Sequence, residues 1–409
     1  MVDKFIIFFL EVCFGINFNF IGTISLSEIF LISTFFIYFK RNDFLLYPEL
    51  KILAWFYTGL FFSQILSELV VGNSFSNSLK GLAVTIVSFF HFYFLFKFFI
   101  KNRYLVLFAL LGMLFRSLIF GTQFQGDLSD VVSGEGATYL KFYIAPIVGN
   151  IILMLSLFLG KLKVSVLTII IGFIFVVLGA RSYGSIIALT GLISFYFIFK
   201  PLINKKIIFF TAIFLIFISY GFYFLYVSQV LNGNIESGNS WQIKSLENPY
   251  NPLNLIYMGR TETIVGFYAF YDSFFFGHGA WAEDTSGKYH YLMEYFKNSN
   301  RVPTEFDVIP SHSVLVGSGM QNGIFSFLFM FLILYYFTKR GILSISKFDK
   351  FYIIIIFFIL QLIWNGIFSP SSHFRYTLPL YFSFILSSYI FMSPMKLIIN
   401  YENLFRHNR

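Results

Sequence analysis

The stretch "HSVLVGSGMQNGIFSFLFMFLILYYFTKR", residues 312–340, decides how the chain is to be read. From residue 313 to residue 338 no charge interrupts a body that is apolar and long, and about 20 such residues suffice to cross a bilayer as a helix. His312 stands at one end of it, and Lys339 with Arg340 closes the other. Basic residues resist translocation, so the Lys339 end faces the cytoplasm and the His312 end the far side.

Working outward, runs of the same kind occupy residues 5–22, 26–39, 50–70, 81–99, 104–120, 141–160, 164–180, 184–199, 207–228, 351–368 and 376–394. With the opening stretch that makes twelve expected transmembrane helices, the second short enough to be tilted, fused to its neighbour or partly re-entrant. Composition agrees. The 409 residues are 57% hydrophobic and 12% charged, with a mean hydropathy of +0.75. The expected fold is therefore an all-α polytopic membrane protein, a single helical bundle over residues 1–409 rather than two or three soluble domains.

The formal charge of +9 is spread between apolar runs and forms no groove-sized basic cluster, which excludes nucleic acid as a partner. It reads as topology. With a cytoplasmic N-terminus, 19 of the 29 Lys and Arg residues fall on that side, and both termini lie inside. Cys13 is the single cysteine, so an intramolecular disulfide and CxxC-type ligation are excluded. The run at 5–22 lacks a small-residue cleavage site and is expected to stay as a membrane anchor.

Residues 229–311 form the one extended polar region, a large outer loop between the ninth and tenth runs, where function is expected to concentrate. Within it Ile264, Phe267, Tyr268, Tyr271, Phe274 and Phe275 recur at helical spacing. They predict a helix lying along the outer membrane–water boundary.

Few residues in these segments carry chemistry. Arg181, in "GARSYGS", sits between two apolar runs with almost no loop, a costly place unless an anion, water or partner meets it; the alternative is a snorkelling helix-end arginine. Arg260, in "YMGRTETIVG", has a planar fork suited to two phosphate oxygens, against which stand pairing with Glu262 and headgroup contact. His312 enters the tenth run from outside, where a neutral imidazole accepts a hydroxyl proton near physiological pH. A structural or solvated loop histidine is its alternative, and His278, His290 and His373 are its competitors. His373 and Arg375, in "SPSSHFR", occupy the last outer loop and are candidates for the same pocket.

Other motifs fail. "GHGAWA" fits a relaxed dinucleotide pattern but has no strand before it. No G-x-S-x-G nucleophile motif occurs. Asp127, Asp130 and Glu135 have no specific metal spacing and read as loop polarity.

Taken together, the twelve runs, the large loop after the ninth, the arginine closing the seventh, the arginine and G-x-G within the loop, and "HSVLVGSGMQNGIFSF" at its end resemble the O-antigen polymerase and O-antigen ligase superfamily. The layout resembles it throughout; the sharper motifs occupy residues 178–185, 259–281 and 309–326, where His312, Ser313 and Gly323 meet the family's histidine and later glycine turn.

The resemblance implies a GT-C-like bundle that moves a glycan from undecaprenyl diphosphate to a sugar hydroxyl on the periplasmic face of the bacterial inner membrane. It implies an inverting, metal-independent glycosyltransferase with no cofactor. His312 would be the catalytic base, and Arg181, Arg260, Arg375 and His373 the diphosphate- and substrate-binding residues. Donor and acceptor would both be carrier-linked oligosaccharides in membrane lipid, with a chain-length regulator as a possible partner. Polymerase is favoured over ligase because strong Phe and Ile bias is common in surface-polysaccharide clusters; ligation to lipid A core stays open. Glycosyltransferases with an acidic metal motif in the first outer loop are disfavoured, since "TISLS" at 23–27 has no acid and Glu28 stands alone. A lipid-linked oligosaccharide flippase is the reading from another class, disfavoured because polarity gathers in one loop and no two halves are visible.

Overall fold

The computed structural model describes residues 1–20, 22–121, 140–199, 205–234, 243–244, 246–296, 308–345 and 349–392. Helices dominate, and the chain is an all-α membrane-embedded protein. Five helices are both long and apolar enough to cross a bilayer among the described residues: Pro48–Val71, Phe75–Phe99, Arg103–Phe120, Arg181–Phe199 and Val314–Ile345. Shorter apolar helices occupy Leu26–Tyr38, Phe142–Leu155, Tyr352–Phe368 and Leu378–Phe391.

One expected helix is cut short. The run at 5–22 is helical only over Val2–Cys13, and a small antiparallel hairpin follows, Asn17–Asn19 on Thr23–Ser25. Twelve residues rise about 18 Å, well under the ~30 Å of a hydrocarbon core. The helix stops where Gly15, Asn17 and Asn19 interrupt the apolar residues, and these types favour turns over helix interiors. Beyond the hairpin, Ser25 caps the next helix by accepting from the Glu28 N–H at 3.3 Å, while the Glu28 carboxylate accepts from the Ser25 N–H at 2.7 Å. This capping box satisfies two otherwise orphaned donors.

The described residues fall into two compact units. The first comprises residues 1–112, 262–347 and 361–409; the second comprises 113–261 and 348–360. In the second unit, helices Lys161–Val177 and Arg181–Phe199 form a hairpin with their backbones very close. A Cβ on Gly172 would stand 2.3 Å from the Ala188 nitrogen, so only a glycine fits there. Ser165 and Ser194 share a hydrogen bond of 2.6 Å, and Ser194 donates to the Tyr352 hydroxyl at 2.7 Å, tying that hairpin to helix Tyr352–Phe368.

In the first unit, helix Pro48–Val71 packs on Phe75–Phe99 and on Val314–Ile345, and Leu378–Phe391 packs on the latter two. Carboxylates buried there have partners. Glu11 meets the His91 Nε2 at 3.3 Å, Asp43 accepts from Lys97 at 2.5 Å and from the Tyr93 hydroxyl, and Glu68 accepts from the Ala280 N–H at 2.7 Å. An unpaired charge in such surroundings is strongly destabilising, which accounts for this pairing.

Helix Val314–Ile345 is broken at Asn322 and Gly323, whose backbone angles are non-helical. The residues before and after the break do not lose their hydrogen bonds; they exchange them with a loop. His278 and Gly279 donate their N–H groups to the carbonyls of Met320 and Gln321 at 2.9 and 2.8 Å, and Ile324 donates to the Phe274 carbonyl at 2.8 Å. Ser67 donates its hydroxyl to the Phe276 carbonyl from the neighbouring helix.

Both sides of this joint demand glycine. Gly323 has φ +75° and ψ −171°, and a Cβ there would fall 2.0 Å from the Phe275 oxygen; Gly277 has φ +71°, with a Cβ 2.4 Å from the Gln321 carbonyl. Gly323→Ala is therefore expected to destabilise the detergent-solubilised protein by more than about 3 kcal/mol, through a disfavoured backbone region and a backbone clash together. Gly221→Ala, with open space around its Cβ, serves as the comparison and is expected to leave the melting temperature unchanged or slightly raised. Equal melting temperatures for the two variants would show that the joint is not needed.

Candidate functional site

The region around the joint is assembled from segments 262–281 and 309–326, distant in sequence. Helix Thr261–Asp272 buries Val265, Ala269 and Phe270 against Tyr289, Ile309 and Met320. Gly266 allows Ser311 to approach, since a Cβ there would stand 3.0 Å from the Ser311 Oγ. Thr263 donates its hydroxyl to the His312 carbonyl at 3.0 Å, holding the backbone of that histidine while its side chain stays exposed. Ser313 explains the residue after it. Its Oγ accepts from the Val316 N–H at 3.0 Å, capping helix Val314–Ile345, and donates to the Gly366 carbonyl at 3.0 Å.

His373 and Arg375 share the short helix Ser372–Tyr376. The Arg375 guanidinium forks onto both carboxylate oxygens of the fully buried Glu28 and also donates to the Thr23 carbonyl at 2.8 Å. The same Glu28 closes the capping box, so one carboxylate joins the hairpin, the helix that follows it and the short helix Ser372–Tyr376. Arg375, expected from sequence to bear on a diphosphate, is engaged by a carboxylate here.

In the second unit, Arg181 is the first residue of helix Arg181–Phe199, half-buried, with its guanidinium carbon 5.0 Å over the Tyr226 ring. This is cation–π distance, and it holds the charge beside an aromatic face. Tyr226 itself packs with Val227, Val230 and Ile243. Arg260 terminates helix Pro252–Gly259 in a non-helical conformation, and Thr261 donates back to the Met258 carbonyl at 3.1 Å. Arg181 and Arg260 thus belong to one unit, and His312, His373 and Arg375 to the other. Among the described residues no three of His, Cys, Asp and Glu gather as a metal site; Asp127, Asp130 and Glu135 lie outside the described residues.

Two of the competing histidines, His278 and His290, have structural partners. His278 donates its Nε2–H to the Ala269 carbonyl at 2.8 Å, with the Tyr289 hydroxyl 3.2 Å away; Tyr289 donates to Asp272 at 2.9 Å. Burial pushes the Tyr289 phenol up, and the Asp272 charge adds to this. Lys288, donating at 2.5 Å, holds the Asp272 carboxyl below its ordinary value against burial, with help from Tyr289. At Asp284 burial opposes the charge, yet hydrogen bonds from the His290 ring at 2.8 Å and from the His290 and Tyr289 N–H groups, both at 2.9 Å, outweigh it and hold that carboxyl low as well.

Sequence reasoning missed Trp281. Its φ of +57° places a bulky side chain in the left-handed region, a true outlier that costs on the order of 1–2 kcal/mol. Both neighbours are clamped: Ala280 donates to Glu68 and accepts from Asn73 at 2.7 Å, and Ala282 accepts from the Ile309 N–H at 2.9 Å. Its side chain is 41% exposed and lines a cleft with Gln64, Thr85, Ser318, Gln321 and Asn322. Val314 and Ser371, each two residues from a candidate histidine, also line it. The signal that could have pointed to Trp281 was its place two residues after the second glycine of "GHG".

Compared with protein-family models, with curated proteins and with solved structures, the chain finds no match in any of the three.

Two expected outcomes follow from this geometry. Removing either partner of the Glu28–Arg375 pair leaves a buried group unpaired, so Glu28→Gln and Arg375→Gln are each expected to destabilise by about 3 kcal/mol. The double variant should lose clearly less than the sum; strict additivity of the melting-temperature changes would show that the two do not interact. The Asp272 and Asp284 carboxyls have folded values below their unfolded ones, so their contributions are present above about pH 4 and are lost as the pH falls through the lowered values. Hydrogen exchange over residues 282–292, corrected for its intrinsic rate, is expected to quicken only in that acid range. Protection that stays flat down to about pH 2 would show that these pairs hold nothing.

Proposed function

We propose that the chain is a surface-polysaccharide polymerase of the bacterial inner membrane. In this reading about twelve helices span the bilayer, both termini are cytoplasmic, and the site opens to the periplasmic face. The exposed aromatic stripe of Phe267, Tyr268, Tyr271 and Phe275 lies along the outer boundary, where amphipathic rings are favoured.

The observation that carries the reading is the meeting of two separate motif segments. The "GHG" of the polar segment hydrogen-bonds into the break at Gly323, while Thr263 holds the carbonyl of the exposed His312 and Ser313, next in the chain, caps the helix that follows. Two short stretches singled out by the resemblance to the O-antigen polymerase and ligase superfamily thus make one joint.

The chemistry balances as a displacement at the anomeric carbon. An acceptor hydroxyl attacks that carbon as the bond to the carrier's diphosphate oxygen breaks, and configuration inverts. The hydroxyl proton passes to the His312 imidazole, and the bonding pair leaves with undecaprenyl diphosphate. Negative charge grows on the departing group, so cationic donors there favour the transition state over the ground state. Arg181 and Arg260 are the residues assigned that role, with Arg375 and His373 at the substrate. No metal or other cofactor takes part in this scheme. A chain-length regulator is the partner that polymerisation invites.

Transfer to a lipid A core by the same chemistry is the nearer alternative, since the residues do not distinguish acceptors. A lipid-linked oligosaccharide flippase is favoured by one observation, the break in an apolar helix at Asn322 and Gly323, because transporters build binding sites from discontinuous helices.

Purified protein given a defined carrier-linked repeat is expected to yield longer carrier-linked products in detergent. His312→Ala, Arg181→Ala and Arg260→Ala should each reduce that rate by about 100-fold or more while melting like the parent, as for loss of one transition-state donor. Wild-type product lengths in the three variants would overturn the assignment. Movement of substrate across vesicles with no new glycosidic bond would establish transport instead.

A further inference from the structure

We propose that the cleft beneath Trp281 is a subsite for an uncharged, hydroxyl-bearing sugar ring. The proposal rests on the glycan-transfer reading above and adds to it the kind of sugar that the protein selects. Three observations carry it.

The first is the backbone of Trp281. A left-handed conformation at a tryptophan persists only when its surroundings impose it, and here Ala280 and Ala282 are pinned on both sides by Glu68, Asn73 and Ile309. The strained backbone does not serve to bury the indole, which stays 41% exposed at the cleft. An exposed flat aromatic surface with one N–H at its edge suits a ring that has an apolar face and polar rim, which is the form of a pyranose.

The second is Asn322. It sits at the break of helix Val314–Ile345, is 3% exposed, lines the same cleft, and its Oδ1 has no hydrogen-bond partner among the described residues. A buried amide oxygen left unsatisfied is rare and calls for a donor from outside the chain. A sugar hydroxyl is such a donor.

The third is the character of the walls. Around Trp281 and Asn322 the polar lining consists of Gln64, Thr85, Ser318, Gln321 and Ser371, all neutral, and among the described residues no Asp, Glu, Lys or Arg lines the cleft. Thr85 donates to the Gln64 Oε1 at 2.9 Å and Ser318 to the Leu315 carbonyl at 2.7 Å, so both hydroxyls retain acceptor capacity. The cleft is small and partly open, so a single ring would rest against its mouth rather than be enclosed, and an oligosaccharide would extend beyond it. A carboxylate placed there would meet no cation, so hexuronic acids are rejected by desolvation without compensation.

The test uses the full chain in a detergent without a sugar head group. Methyl glycosides of hexose and N-acetylhexosamine are titrated against the matching hexuronates, and binding is read by saturation-transfer NMR. Neutral glycosides are expected to bind with dissociation constants on the order of 1–10 mM, as suits a single ring, and hexuronates at least about tenfold more weakly. Trp281→Ala should weaken neutral binding about tenfold, and Trp281→Phe, which keeps a flat ring, should restore part of it. Asn322→Asp should also weaken it, and its melting temperature reports whether the break itself survives.

No binding by the wild type in this range, equal binding of neutral and acidic sugars, or undiminished binding in a folded Trp281→Ala variant would each overturn the subsite. The wider reading fails separately. If neutral sugars bind as described but carrier-linked repeats are never extended, the subsite stands and glycosyl transfer falls. If repeats are extended and Trp281→Ala leaves the Michaelis constant for a neutral-sugar repeat unchanged, transfer stands and the subsite falls.

Discussion

The first unit depends on an exchange of backbone hydrogen bonds. An apolar helix that breaks at Asn322 and Gly323 would leave N–H and C=O groups unsatisfied in surroundings where water is scarce, at several kcal/mol per group. The segment around residues 274–279 supplies the missing partners, donating to Met320 and Gln321 and accepting from Ile324. Break and loop therefore need each other. The loop takes its path from the orphaned groups, and the helix can bend only because the loop is there. Everything placed relative to this joint inherits its rigidity: the buried face of helix Thr261–Asp272, the His312 backbone under Thr263, and the strained Trp281 two residues beyond Gly279.

The second unit solves the same problem without a loop. Helices Lys161–Val177 and Arg181–Phe199 are continuous, and glycines let them approach until serine and tyrosine hydroxyls bond nearby, as Ser165, Ser194 and Tyr352 do. Close van der Waals packing replaces the hydrophobic drive that lipid does not supply. Arg181 opens one of these helices, with its guanidinium carbon 5.0 Å over the Tyr226 ring.

Much of the helical layout was legible from hydropathy, because apolar runs of helical length leave a chain in lipid almost no other way to satisfy its backbone. The helices at Leu26–Tyr38, Pro48–Val71 and Tyr352–Phe368 fall within two residues of where the runs place them. The hairpin at residues 17–25 was not legible. Isolated Asn and Gly residues within an apolar run leave mean hydropathy high while removing the local preference for helix. Of the candidate site, Ser313 and Gly323 could be singled out from sequence, but not their work as a helix cap and as a backbone crossing. The Glu28–Arg375 pair was out of reach, since nothing in spacing links residues 347 positions apart. Trp281 was missed for a similar reason: its backbone strain is imposed by Glu68, Asn73 and Ile309, all remote in the chain.

The separation of Glu28 and Arg375 bears on how the protein is made. Glu28 leaves the ribosome 347 residues before the arginine that pairs with it. In the interval the capping box with Ser25 is the carboxylate's local support. The arrival of Arg375 then acts as a late latch: it fastens the hairpin at residues 17–25 and the helix after it to the short helix Ser372–Tyr376, so that a product ending before that helix leaves the Glu28 carboxylate without its cation.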